Sequence, residues 1–461
     1  MRVSSFTRPN LLEGGIIRSL ICFSIPIIIS FAFQQIYNAA DAIIIGHLLG
    51  EKSLAAVGAC VSIFELIVAF GAFFGNGLSL VAARAYGSGD SEKLKDVVAS
   101  SLVISAGVIA IVSLVSGFFL MDMLRFLHTP EDIIEEAHSY IFVIGVFSGI
   151  MFAYNLFSGF LRSIGNSIMP LVFLVISSVL NVIFDILFIT KFNMGIQGTA
   201  FATVLAQAIS ALLCLVYIFI CAPILVPGLR NFKFDKDLCM DLMGQGLSMG
   251  FMSAIVSSGS VILQSGINSL GTMIIAGHVS ARKVFTVLLV PLFSFSTAAA
   301  TFVSQNFGAG KFSRIKRGVK GAVLICSAWV VILLGFMPFY VRPVIKLISG
   351  SDNSELLGYA VRYICFAEPF YLVLGILIVL RNSLQGIGLK ILPLISSIIE
   401  LLGKIAFTLV IIPWLGAWGV IICEPLIWCA MTLQLLYVYE RRVRRFPTED
   451  AGSSSRLTRQ N

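Results

Sequence analysis

Phe33-Gln34-Gln35-Ile36-Tyr37-Asn38-Ala39-Ala40-Asp41-Ala42-Ile43-Ile44-Ile45-Gly46-His47 closes a long apolar run and carries an aspartate with no basic neighbour. Asp41 follows Gln34 by seven residues and Asn38 by three, so a helix puts all three on one face. Inside a membrane-spanning helix an aspartate costs about 2.5–3.5 kcal/mol on insertion scales. Something must offset that cost, or the acid must face water.

The surrounding composition makes the membrane setting plain. The chain has 461 residues, 58% hydrophobic and 12% charged, with mean hydropathy +0.96. Soluble domains carry about 25% charged residues. Apolar runs of spanning length recur at 16–47, 53–82, 97–120, 134–158, 168–190, 195–221, 242–270, 274–306, 318–341, 356–380, 391–413 and 416–439. They predict an all-α integral membrane protein of twelve transmembrane helices. No cleavable leader is expected, because the first run is too long and lacks a small-residue cleavage site. Pro26 removes a backbone hydrogen bond within that run and predicts a kink.

The net charge of +8 is read as a topology signal rather than a nucleic-acid footprint, because the basic residues sit between apolar runs. With the N-terminus inside, 23 Lys and Arg fall on the cytoplasmic side. Seven fall opposite: Lys52, Arg125, Lys191, Arg282, Lys283, Arg342 and Lys346. Only Arg362 and Lys404 remain within helices. Both termini are therefore expected in the cytoplasm. The nine cysteines form no CxxC and the four histidines no ligand set.

The chain repeats itself. Gly87-Ser-Gly-Asp corresponds to Gly308-Ala-Gly-Lys, Gly165 and Pro170 to Gly388 and Pro393, and Gly195-Ile-Gln-Gly198 to Gly416-Ala-Trp-Gly419. Ile44-Ile-Gly-His47 is echoed by Ile275-Ala-Gly-His278, which would set Asp41 opposite Thr272. The repeat predicts two pseudo-symmetric six-helix bundles with a central cavity. Residues 1–228 form the N-terminal bundle, 229–241 a cytoplasmic linker, 242–445 the C-terminal bundle and 446–461 a disordered cytoplasmic tail.

Several motifs now stand together. They are FQQxYNxxD at 33–41, the twin GxG turns, RxxGNxxxP at 162–170, Asn181-x-x-x-Asp185 and GxxGTAxAT at 195–203. With them the chain resembles the multidrug and toxic compound extrusion (MATE) transporters over residues 10–440, and in particular their DinF- and MepA-like bacterial branch. The resemblance implies export of amphipathic, often cationic compounds through alternating access, driven by H⁺ or Na⁺. It also implies a multi-pass protein of the bacterial cytoplasmic membrane.

The residues bear on the coupling ion independently. Asp41, Asn181, Asp185, Thr203 and Tyr140 lie at similar depth in their helices, five to nine residues or ~8–14 Å from the outer ends. Two membrane acids at one depth repel unless a cation or a shared proton neutralises them. The family resemblance carries a cation site onto Asp41, Asn181, Asp185 and Thr203, with Tyr140 as neighbour. Hard oxygen ligands suit Na⁺, and carboxylates also suit a proton. The ion stays open, and no other cofactor is expected.

Gln34, Tyr37 and Asn38, just inside Asp41, are candidate substrate contacts. Glu65, alone near the middle of the second helix, is either a protonated packing residue or a cavity-facing charge. The second half lacks the first half's acids, because Lys404 stands at the Asn181 position and Thr408 at the Asp185 position. It carries instead Glu368, Glu400, Lys404 and Glu424, with Glu400 and Lys404 spaced for a mutual pair. Glu368 and Glu424 are read as secondary sites for a cationic drug or a second proton.

The expected partners are small amphipathic molecules and membrane lipids, with no nucleic acid, and a monomer is expected. An alternative is a lipid-linked precursor flippase of the same superfamily, which would favour arginines in the cavity. No HExxH, GxSxG or Walker A motif marks an enzyme or a nucleotide-driven pump.

Overall fold

The computed structural model describes residues 10–447 except 128 and 444. The expected disordered tail lies outside these residues from 448 onward. Eleven described helices are long and apolar enough to cross a membrane, and a twelfth span forms if one bent pair is counted as one. They are α1 (Ile16–Leu48), α2 (Glu51–Gly87), α3 (Ser91–Phe126), the bent pair α4 (Ile134–Val146 and Ser148–Ser163), α5 (Ile168–Thr190) and α6 (Gly195–Cys221). Then follow α7 (Lys236–Asn268), α8 (Thr272–Gly308), α9 (Phe312–Ser349), α10 (Ser354–Gly386), α11 (Ile391–Leu415) and α12 (Ala417–Val443). Polar side chains mark several starts. Asp90 accepts from the amides of Glu92 and Lys93 at 3.1 and 3.0 Å and caps α3. Asp235 does the same for Asp237 and Leu238. That cap starts α7 at Lys236, inside the stretch expected as linker.

The repeat is visible in the backbone. α2 and α8 are both 37 residues long, and α1 and α7 both 33. Gly50, Gly89, Gly165 and Gly195 adopt positive φ at the ends of first-half helices, and Gly271, Gly310, Gly388 and Gly416 do so in the second half. Any side chain there would be strained. α4 is bent by 44° between its segments. Its counterpart α10 is interrupted by a 3₁₀ turn at Glu368–Phe370, where Pro369 withholds a backbone donor.

One expected correspondence fails. Counted from the helix ends, α1 matches α7, so Asp41 stands opposite Val261 rather than Thr272. The shared Ile-x-Gly-His letters fall on non-equivalent helices, α1 and α8. His278 is buried within α8, six residues after its first residue. Arg282 and Lys283 also lie inside α8, and Arg84, Arg162 and Arg381 inside α2, α4 and α10. Basic residues within helices are therefore not confined to Arg362 and Lys404.

The chain divides into two compact units. Unit 1 comprises residues 25–254, and its core has two parts. One gathers Phe74, Leu78, Leu94, Phe160, Phe173 and Leu242. The other gathers Cys60, Ile63, Leu124, Ile141, Ile144 and Val204. Small residues let the helices close up. A Cβ on Gly75 would lie 3.4 Å from the Leu156 amide nitrogen, and one on Gly77 2.7 Å from the Gln245 carbonyl oxygen.

Unit 2 comprises residues 10–24 and 255 onward. The N-terminal segment is tied into it by backbone carbonyls. Asn306 Nδ2 donates to Leu11 O at 3.1 Å, Lys311 Nζ to Leu12 O at 3.0 Å and Arg314 Nη1 to Gly14 O at 3.0 Å. Phe285, Tyr371 and Trp428 cluster in its core, with the Phe285 and Trp428 rings stacked 6.0 Å apart.

Candidate cation site

Unit 1 brings Asp41, Asn181, Asp185, Thr203 and Tyr140 together. α5 supplies Asn181 and Asp185 from one face, four residues apart, and both are buried. α6 brings Thr203 against them, and Asn181 Nδ2 donates to Thr203 Oγ1 at 3.3 Å. From α1, the Asp41 carboxyl approaches that of Asp185. Tyr37, one turn before Asp41, reaches Thr203 with its hydroxyl and faces both acids and Tyr140. Tyr140 packs against the part of the unit 1 core that holds Cys60, Ile63 and Ile141. Tyr37 thus belongs with the acids, whereas Gln34 and Asn38 lie on the exposed side of α1.

The chemistry of this cluster is one-sided. Asp41 Oδ1, Asn181 Oδ1 and both Asp185 carboxylate oxygens are buried without a hydrogen-bond partner. Asn181 has turned its amide nitrogen to Thr203 and left its oxygen toward the site. Four orphaned oxygens in a low-dielectric setting are costly alone. They fit a small hard cation, which can take all four as ligands, while a proton shared between the two carboxyls satisfies two of them. No lysine or arginine is paired with either acid among the described residues.

Glu65 lies apart from this cluster, exposed, at the first residue of a π-turn (Glu65–Ala69) inside α2. Such turns break the regular helical ladder. Arg84, just before the first GxG turn, pairs with Asp241 at 2.9 Å.

Unit 2 solves the same problem internally. Lys404 stands thirteen residues after the first residue of α11, as Asn181 does in α5. Its Nζ donates to Glu400 at 3.0 Å and to Ser260 Oγ at 3.1 Å. Arg381 Nη2 lies 3.7 Å from the other Glu400 oxygen. Thr408, at the Asp185 position, lies 3.4 Å from the Ile262 carbonyl. Glu424 on α12 is held by Arg282 on α8 and by the Tyr363 hydroxyl on α10, at 2.9 Å each. His278 Nδ1 adjoins the Tyr359 hydroxyl at 3.3 Å. Glu424 therefore has its own counter-ion, which leaves little charge for a cationic drug. Glu368 is buried with Oε1 unpartnered.

Sequence reasoning missed Arg282, Tyr363, His278 and Arg381 as members of these networks. A pair 142 residues apart, such as Arg282 and Glu424, leaves no local spacing to find. An arginine within an apolar run was the one available signal, and Arg282 falls inside the run at 274–306.

The MatE family profile matches residues 26–187 and 249–410, one segment in each half of the repeat. The chain is 27% identical over 412 residues to the probable multidrug resistance protein YpnP of Bacillus subtilis, covering 88% of this chain and 91% of that one. It is 24% identical to the multidrug export protein MepA of Staphylococcus saprophyticus, covering 82% and 83%. A protein named FAD transporter from Shewanella oneidensis is 23% identical, covering 94% and 96%. A solved MATE structure in the bent conformation superposes with a TM-score of 0.88 at 23% identity, covering 95% of this chain and 97% of that one. With both halves of its repeat matched, the chain belongs to the MatE family of multi-pass membrane transporters and is not an enzyme.

Proposed function

We propose that the chain exports amphipathic cationic compounds from a bacterial cytoplasm, with both termini inside, in exchange for H⁺ or Na⁺. The observation that carries this reading is the set of orphaned oxygens on Asp41, Asn181 and Asp185. Facing carboxylates repel when both are ionised, and a bound Na⁺ or a shared proton removes the repulsion. Asp41, Asp185, Asn181 and Thr203 would hold Na⁺ through oxygen atoms. For a proton the two carboxyls alone suffice. The ion supplies positive charge, and the residues supply its selectivity and its coupling to the helix. Asp41 is on α1, which contains Pro26 within its helical span. A change at Asp41 is transmitted along α1, whose ladder lacks a donor at Pro26, and this change of bend displaces cargo. Gln34 and Asn38, exposed on the same helix, contact that cargo.

The names of YpnP and MepA support a drug-like cargo. The two uncompensated acids favour a cation, and the monomer is the working unit. Transport in proteoliposomes tests the reading, with sodium and proton gradients imposed separately. Uptake of a cationic dye should follow one gradient and vanish in Asp41→Asn. The panel includes a flavin dinucleotide, because one relative bears that name. Full transport by Asp41→Asn would overturn the cation site. Identical α1 geometry in ion-loaded and ion-free protein would rule out the bending step.

A further inference from the structure

A cavity of about 530 Å³ opens in unit 2 where α8, α10 and α12 end. Arg441, Arg442 and Arg445 line one side, and Phe307, Ile387 and Leu389 form an apolar floor. Phe446 closes it, its ring tilted against those of Phe312 and Phe307 at centroid distances of 4.8 and 6.0 Å. Its backbone oxygen accepts from Lys316 Nζ at 3.1 Å, which fixes the chain after α12 as a wall. Among the described residues no carboxylate pairs with any of the three arginines, and all three are exposed.

The depth of this cavity is set by its neighbours. Leu433 and Tyr437, preceding it on α12, are 69% and 57% exposed. An exposed leucine faces acyl chains, and an exposed tyrosine marks the headgroup level. Arg441 lies over the Tyr437 ring, 4.8 Å from its centroid. The cavity thus begins where hydrocarbon gives way to headgroups. It combines three cations with an apolar floor, open at the edge of the membrane.

The geometry points to a binding site for an acidic phospholipid. Its phosphate would sit among Arg441, Arg442 and Arg445, and its glycerol and upper acyl carbons on Phe307, Ile387 and Leu389. A free phosphate would use the arginines and leave the floor bare. Basic pockets at the ends of membrane helices take such headgroups, each arginine near the anionic surface contributing about fivefold in affinity.

Native mass spectrometry of the full chain, titrated with dioleoylphosphatidylglycerol and with dioleoylphosphatidylcholine, tests this. A retained phosphatidylglycerol, with phosphatidylcholine bound far more weakly, is the expected result. The variant Arg441→Gln/Arg442→Gln/Arg445→Gln should lose that lipid by tenfold or more, and Leu389→Asn should weaken it while leaving the charges intact. Lys93→Gln/Lys233→Gln/Lys236→Gln removes equal charge from unit 1 and should leave it bound. Equal loss in that control would reduce the effect to overall charge and overturn the site. Displacement by inorganic phosphate at millimolar concentration would overturn the lipid in favour of a free anion. If the lipid binds only after truncation at Pro447, the residues beyond it are the occupant and the proposal fails.

Discussion

Arg282 Nη1 donates to both carboxylate oxygens of Glu424, at 3.1 and 2.9 Å, and so joins α8 to α12. The Glu424 side chain is 10% exposed and that of Arg282 36%. Glu424 is the more dependent partner. Arg282→Gln should therefore destabilise the protein by roughly 2–4 kcal/mol, below the upper range for fully buried pairs because of Arg282's exposure. Arg282→Gln/Glu424→Gln should recover most of that loss. Thermal unfolding in detergent reads both, and a double variant no better than the single would refute the pairing as the cause.

Glu400 serves two cations, which makes the consequences of substitution unequal. Lys404→Gln leaves Glu400 with Arg381 at 3.7 Å and with a neutral side chain nearby. Glu400→Gln leaves Arg381 and Lys404 facing each other without an anion. Glu400→Gln should be the more damaging single change, at about 3–5 kcal/mol. Adding Lys404→Gln to it should restore stability and transport. The reverse order of the singles would place the dominant partner of Lys404 elsewhere.

Two glycines separate close packing from mere helix propensity. A Cβ on Gly77 would meet the Gln245 oxygen at 2.7 Å and Gly246 Cα at 2.8 Å, both backbone atoms that cannot swing away. One on Gly107 meets nothing within 4 Å. Gly77→Ala should cost about 1–3 kcal/mol through forced separation of α2 and α7. Gly107→Ala should gain up to about 1 kcal/mol from helix propensity. Melting temperatures shifting in the same direction for both would contradict the contact.

The two acids of the cation site should not act additively. Asp41→Asn and Asp185→Asn each remove one carboxylate from a facing pair. Each should abolish coupled export, yet each should also raise thermal stability in ion-free buffer, since like-charge repulsion is relieved. Combining them should add little to either effect. Strictly additive stability changes would mean that the carboxyls do not interact.

Much of this arrangement was legible because it is local or repeated. Asn181 and Asp185 share a turn, and the glycine turns recur at a nearly constant interval. Asp41 stood out because it lacked any basic residue nearby. The echo of Gly46-His47 misled because short apolar matches are cheap. The interval from Gly87 to Gly308 and from Gly195 to Gly416, together with the matched helix lengths, pairs α1 with α7 instead. The attachment of residues 10–24 to unit 2 was not legible either. It rests on Asn306, Lys311 and Arg314 donating to backbone carbonyls, and carbonyls carry no sequence signature. Tyr37, a candidate substrate contact beside Asn38, is also aligned with Asp41 by one helical turn and so faces the acids.

Lys404 gives the repeat a different meaning. At the equivalent position of α11, the second half keeps a positive charge fastened to its own backbone. Under the proposed cation coupling, the first half, with Asn181 there, borrows one from solution. A tethered charge never leaves, so that half is permanently in its filled condition, while the other can be emptied and refilled. Asn181→Lys should therefore convert the first half into a filled one for good: folded, stable without added ions, and stalled in the transport cycle.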